Sequence, residues 1–443
     1  MLNEQEAKRI ADRVLSLSKA DELSLSLRDS RTTHIRYARN APTTSGSNSV
    51  PSLSITSVYG QRAGSVSVNQ FDDESLERGV RRSEEVAKLA PEDPERMPGL
   101  GAQSYQAIPQ AYDEETGENP HPHMAKGVAG NLKAAKEAGL VSAGFTEVSA
   151  GSSCIANSKG LFGFHRSTNA SLSQTARTSD GTGSGWAAAV SNQVQTLDYA
   201  GVSTTSLAKG ASSVDARDLE PGEYPTILEP SCVANLVQLL LGAMDRRRAD
   251  EGRSYFAKGE GTRLGEQLFD PKIHIVSDPA DPRAPGRPWG SESLPATAQA
   301  WIDRGKAANL SVSRYWAKEK GLTPNPGPGN ILMEGGSGSL ADLIASTKKA
   351  VLVTSIWYIR GVDPQSLLYT GLTRDGVFWV EDGQIKHPIH NFRWNDSPVA
   401  VLKKVEEMSA PVRVSPRGSR AGHVVVPALR VSGFQFSSVS EAV

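Results

Sequence analysis

Apolar and polar residues alternate through much of the first half of the chain. Leu23, Leu25 and Leu27 are separated by Ser24 and Ser26; Leu53 and Ile55 by Ser54; Val66 and Val68 by Ser67. A period of two marks strands with one buried face. Tyr59, Gly60 and Gln61 stand between the second and third runs and predict a hairpin turn. A helical period precedes them: Ile10, Val14 and Leu15 follow Asn3 and Glu6, whose spacing predicts a capping box. Asp72 or Asp73 can cap a second helix over roughly 74–89, and a third is predicted over 124–138. Residues 91–121 form a connector rich in Pro, Gly and Glu. Ser, Thr, Ala and Gly dominate 141–194, which predicts several antiparallel strands in a sheet with one wet face.

The second half opens with a predicted strand over 224–228 and a helix over 233–247. That helix ends in Arg246, Arg247 and Arg248, where positive charge suits a C-terminal dipole. Residues 279–296 and 324–329 are Pro/Gly-rich loops, and Ser339 with Asp342 predicts another capping box. The apolar run 351–356 predicts one continuous strand; Arg374-Asp375-Gly376 and Asp382-Gly383 predict hairpin turns; 424–434 is again strand-like. No internal repeat is present. The pattern predicts an α+β protein with antiparallel sheets and flanking helices, divided into an N-terminal domain over 1–214 and a β-rich C-terminal domain over 215–443.

Composition narrows the function classes. The 443 residues suit two or three domains at roughly 100–200 residues each. A net charge of −1, with no basic stripe, argues against nucleic acid as a partner. Two distant cysteines, Cys154 and Cys232, argue against a disulfide framework and for a reducing cytoplasm. The acidic start of the chain predicts no signal peptide. The longest apolar run, 236–244, is about half of the ~18–20 residues that cross a bilayer, so no membrane contact is expected.

Between residues 352 and 398 several irregular motifs follow one another: Trp357-Tyr358 with Arg360, Asp363-Pro364, Thr370-Gly371-Leu372-Thr373-Arg374-Asp375-Gly376, and Asn391-Phe392-Arg393-Trp394-Asn395. Their order and spacing resemble the TldD/PmbA family. Gly252-Arg253-Ser254-Tyr255-Phe256 and the glycines before Ser339 add to the likeness, which covers most of 220–435. In that family the zinc-bearing, TldD-type chains carry a His-Glu-X-X-X-His motif on the helix after the first strand of this half. Two histidines about one turn apart hold zinc, and the glutamate serves as general base to a zinc-bound water. Overlaid on this chain, the motif falls on Gln238, Leu239 and Ala243. The family's thiolate ligand corresponds to residues 415–419, which contain no cysteine. The resemblance is therefore to the TldE/PmbA-type subunit. It implies no zinc in this chain, zinc in a TldD-type partner, a heterodimer with that partner or a homodimer, and proteolysis of unfolded or leader peptides.

The residues themselves leave rival readings. Arg360, Asp363, Arg374, Asp375, Asn391 and Arg393 could bind an extended peptide or dock a partner; they could equally staple turns. Trp357, Tyr358, Trp379 and Trp394 are core or cleft wall. Cys232 reads as a small buried residue, and His121, His123, His387 and His390 as solvent-facing or hydrogen-bonding. The glycines at 259, 261 and 265 lack the spacing of a dinucleotide loop, and Ser337 lacks a nucleophile elbow. An autonomous hydrolase with another site, and a regulatory protein of gyrase-modulator type without a protease role, stand as alternatives.

Overall fold

The computed structural model describes residues 1–418 and 423–440. Its first half is one six-stranded antiparallel sheet in the order β3-β2-β1-β4-β5-β6. The strands are β1 Glu22–Ala38, β2 Ala41–Tyr59, β3 Arg62–Val68, β4 Val141–Asn157, β5 Phe162–Arg177 and β6 Ser184–Ser191. Leu27 lies opposite Leu53 and Cys154, and Cys154 opposite Phe164, so each strand turns one parity of residues to the same side. On that side lie α1 (Glu4–Leu17) and α2 (Asp73–Leu89), with Ala11, Val14, Leu76 and Val80 against Leu25, Leu53 and Ile55. The same face continues under α4 (His121–Glu137) and α5 (Tyr199–Ser212), where Met124, Val128 and Val202 meet Val148, Ala170 and Leu172. The opposite face carries Glu147, Asn169, Ser171, Ser173 and Trp186, the wet side that the small polar residues predict.

Both capping boxes form: Glu6 N–H donates to Asn3, and Asp342 N–H to Ser339. The connector holds a short helix, α3 (Glu114–Glu118). The sequence pattern gives no sign of α5. Its residues include two glycines and five Ser/Thr, weak helix formers, and packing on β5 and β6 stabilises it instead.

Among the described residues the second half has two larger sheets and a two-stranded ribbon, Ala257–Lys258 with Gly261–Thr262. The larger runs, in spatial order, through Ile356–Asp363, Leu368–Thr373, Phe392–Asp396, Leu429–Val439, β7 (Gly222–Leu228), Lys349–Val353, Val377–Glu381 and Gln384–Pro388. The smaller is built from short strands including Ile275–Ser277, Ile331–Met333 and Val424–Val426. Pairing is antiparallel except between Lys349–Val353 and β7, and between Ile331–Met333 and Val424–Val426. One core joins both sheets to α6 (Pro230–Ala243), whose Val233, Leu236, Val237 and Leu240 are buried with Ile275, Trp301, Val353 and Phe392.

Three expectations are corrected here. The helix predicted over 233–247 is two: it stops at Ala243, and α7 (Arg246–Asp250) restarts after Asp245, which accepts from the Arg248 N–H at 2.8 Å. Arg246 and Arg247 pair with Asp250 and Glu251 along α7 rather than ending a longer helix. The apolar run 351–356 is cut at Thr354 and Ser355 between two strands of one sheet. Asp375-Gly376 is no hairpin, because the strands it joins pair with other neighbours; Asp382-Gly383 does close one. Among the described residues no helix is long and apolar enough to cross a membrane.

Candidate functional site

The break at Thr354 and Ser355 builds the site. Both hydroxyl residues are buried. Thr354 Oγ1 donates to the Gly376 carbonyl at 2.9 Å, and the Arg374 N–H donates to the Ser355 carbonyl at 3.0 Å. A pair that would weaken an apolar strand thus satisfies the backbone of a buried loop. Asp375 and Gly376 sit at φ +55° and +116°, in the left-handed region. A Cβ on Gly376 would lie 2.9 Å from the Phe378 ring, so glycine is required there on two counts. The turn drives the Asp375 side chain inward, to 0% exposure.

Partners for this carboxylate come from far along the chain. Ser184 at the head of β6 donates to Asp375 Oδ1 at 2.5 Å, joining the two halves. Arg417 pairs with Oδ2, and Arg374 Nε lies 3.7 Å from the same oxygen. The Arg374 guanidinium sits 4.1 Å from the centre of the Trp357 ring, and Arg417 sits 5.2 Å from that of Trp186. Such stacking holds guanidinium planes in place. Burial, reinforced by the charges of Arg374 and Arg177, pushes Arg417 down to about 10; burial also lowers Arg374. Next to Arg417 and Trp186 opens a cavity of about 360 Å³ against the wet face of the first sheet.

The six residues singled out from the sequence do not converge. Arg374 and Asp375 are neighbours here, and Asn391 shares with Asp375 a second cavity of about 340 Å³. Asn391 Oδ1 accepts from Thr373 Oγ1 at 3.1 Å. Arg360 is exposed, stacked on Tyr358, and donates to the carbonyl of its own neighbour Ile359. Arg393 is exposed with a long contact to Thr370. Asp363 accepts from the N–H groups of Gln365 and Ser366 and from the Ser366 hydroxyl, which cap its own turn and lower its pKa. Sequence reasoning missed Ser184, Trp186 and the charge at Arg417. Only the fold brings residues so distant to Asp375, and no local pattern marks them.

Gln238 and Leu239 on α6 are partly exposed and Ala243 is buried. Ala243 borders a cavity of about 260 Å³ with Asp363, Arg248 and Tyr369. Of residues 415–419, Ser419 lies outside the described residues; the others form the turn that presents Arg417. Cys232 is fully buried, donates to the Val353 carbonyl at 3.5 Å, and has its thiol pKa raised by burial. His123 contacts Glu115 at 3.1 Å and His390 lies 3.7 Å from Asp218. Trp394 is core, Trp379 packs at the edge of the core, and Tyr358 is exposed.

Two family models match the chain. One described as PmbA/TldA metallopeptidase C-terminal domain matches residues 221–438, and one described as PmbA/TldA metallopeptidase domain 1 matches 23–87. No curated protein matches the sequence. Among solved structures, TldE from Thermococcus kodakarensis superposes with a TM-score of 0.86 at 19% identity, covering 98% of this chain and all of that one. A protein from Bacteroides thetaiotaomicron named as a candidate modulator of DNA gyrase gives 0.82 at 18% identity, over 99% of this chain and 100% of its own. Another so named, from Thermotoga maritima, gives 0.80 at 16%, over 97% and 100%. At such identities the likeness shows the fold.

Proposed function

Because the chain belongs to the PmbA/TldD metallopeptidase family, we propose that it is a TldE/PmbA-type, non-catalytic subunit that serves a zinc-bearing TldD-type partner in cleaving unfolded peptides. The observation that carries this reading is a kept frame with altered donors. Helix α6 is intact and locked into the core through Val233, Leu236, Val237 and Leu240. Its motif positions nevertheless hold an amide, an isobutyl and a methyl group at Gln238, Leu239 and Ala243. Where the family's thiolate is expected, the turn offers the Arg417 guanidinium. One amide and one cation make no donor set for zinc, and no step is assigned to a metal in this chain.

What such a chain supplies is position. The strand Ile356–Asp363 is an outer strand of the large sheet, with Tyr358 and Val362 more than half exposed. A free edge of this kind suits an extended peptide added as a further strand, a mode that rests on backbone hydrogen bonds and accepts many sequences. Holding the peptide extended removes part of the entropic barrier to attack at the partner's zinc.

Cleavage of an unfolded peptide is measured with the chain alone, with a TldD-type chain alone, and with both, while zinc is quantified in each sample. Activity that needs both chains, with zinc in the partner, is expected. Stoichiometric zinc in this chain, or cleavage by it alone, overturns the proposal.

A further inference from the structure

At the junction between the halves, two largely buried guanidiniums share one carboxylate. Arg374 and Arg417 are 20% and 19% exposed, and Asp375 is 0% exposed. One oxygen of Asp375 is taken by Ser184 and the other by Arg417. Arg374 Nε is buried and meets no acceptor within hydrogen-bond reach. Among the described residues Asp375 is the one carboxylate paired with these two guanidiniums, and the charge of Arg177 acts on both. A buried cation without a full counter-charge is costly, which favours an incoming anion.

The surroundings select among anions. Trp186 and Trp357 cover the ring-facing sides of the guanidiniums and leave edge N–H groups as donors, the geometry that meets a planar carboxylate. The adjoining cavity of about 360 Å³ is lined on the other side by Glu147 and Asn169. Asn169 Oδ1 is buried and has no donor. The cavity is thus cationic at one end and rich in acceptors at the other. An extended peptide has the matching polarity: a terminal carboxylate, with backbone N–H groups behind it.

We propose that Arg417, backed by the charge of Arg374 behind it, forms a carboxylate cradle that takes the C-terminal carboxylate of an extended peptide, with Asn169 and Glu147 receiving its N–H groups. The inference rests on the peptidase-subunit reading for the peptide, and goes beyond it in naming the end recognised and the residues that recognise it. Asp375 and Ser184 are positioning residues that set the angle of Arg417.

The test is calorimetric titration of the full chain with a short all-alanine peptide as its free acid, as its C-terminal amide, and as an amide carrying an internal glutamate. The free acid is expected to bind at least about tenfold tighter than the plain amide, the loss expected for one charge-assisted hydrogen bond. Arg417→Gln should remove that preference and Arg417→Lys should keep part of it. If the glutamate amide binds as tightly as the free acid, the site takes any carboxylate and recognition of the C-terminal end is overturned. Equal affinity of the unsubstituted chain for acid and plain amide, absent binding included, overturns the cradle, and this arm needs no variant to fold. The two proposals fail separately. A chain that activates its partner without any acid preference refutes only the cradle. A chain that prefers the acid but never supports a partner's cleavage refutes only the subunit reading.

Discussion

Asp375→Asn is the sharpest probe of how the two halves are joined. The change preserves shape: an asparagine can still accept from Ser184, so the 2.5 Å contact across the junction has a substitute. It removes the only charge that the Asp375 position sets against Arg417 and Arg374, both about four-fifths buried. Removing one partner of a buried ion pair costs about 3–5 kcal/mol, because the other charge is left uncompensated. The loss should therefore depend on Arg417 being present. On an Arg417→Met background, whose thioether side chain retains the contact with Trp186, the same Asp375→Asn change should cost ~1–3 kcal/mol less. Urea unfolding of the four proteins gives the coupling, and fluorescence from Trp186 and Trp357 reports on the junction. A coupling within about 0.5 kcal/mol of zero would show that the two residues do not share their stabilisation, and the electrostatic account of the junction would fail.

Other expectations are as direct. His165 is pushed from the ordinary 6.5 down to about 4, first by burial and then by the charge of Arg287, and His423 is also pushed down to about 4. The unfolded chain takes up these protons first, so their stabilisation is complete above about pH 6.5 and is lost as the pH falls towards 4, on the order of 3 kcal/mol for His165. His165→Phe, which keeps an aromatic edge against Trp289, should flatten the acid loss seen by urea unfolding between roughly pH 7 and pH 4.5; an unchanged slope would refute the assignment. Gly185→Ala should destabilise by about 1–3 kcal/mol in the same assay, because its Cβ would lie 2.3 Å from the backbone of Ser206 and Gly210 on α5. Leu240→Ala, at 0% exposure in the core of α6, should cost about 2–5 kcal/mol; a cost below ~1 would mean that α6 is not held as described.

Much of the first half is legible in its residues because its interactions are local or periodic. Alternating Leu23, Leu25 and Leu27 can bury one face only as a strand, and Asn3 with Glu6 closes a cap within a single turn. The family motifs between 352 and 398 are likewise contiguous. Features that depend on competition between distant partners are not legible. Residues 199–212 carry two glycines and five Ser/Thr beside their alanines, and become helix because β5 and β6 offer a surface to cover. Thr354 and Ser355 look like an apolar strand's continuation until the loop at 374–376 claims their hydrogen bonds. Asp375 looks like turn chemistry until Ser184 and Arg417 arrive from other parts of the chain.

By itself, the sequence determined the α+β class, the strands and caps of the first half, the family, and the absence of His and Glu at positions 238, 239 and 243, because each of these is carried by residue identity or short-range spacing. The tertiary structure decided which of the candidate residues act together. Burial of Asp375 between two arginines, the stacking of Trp186 and Trp357, and the cavity beside Arg417 exist only where two halves of the chain meet. Charges so placed gain their strength from the exclusion of water, and that is a property of the packed assembly of segments rather than of any one of them.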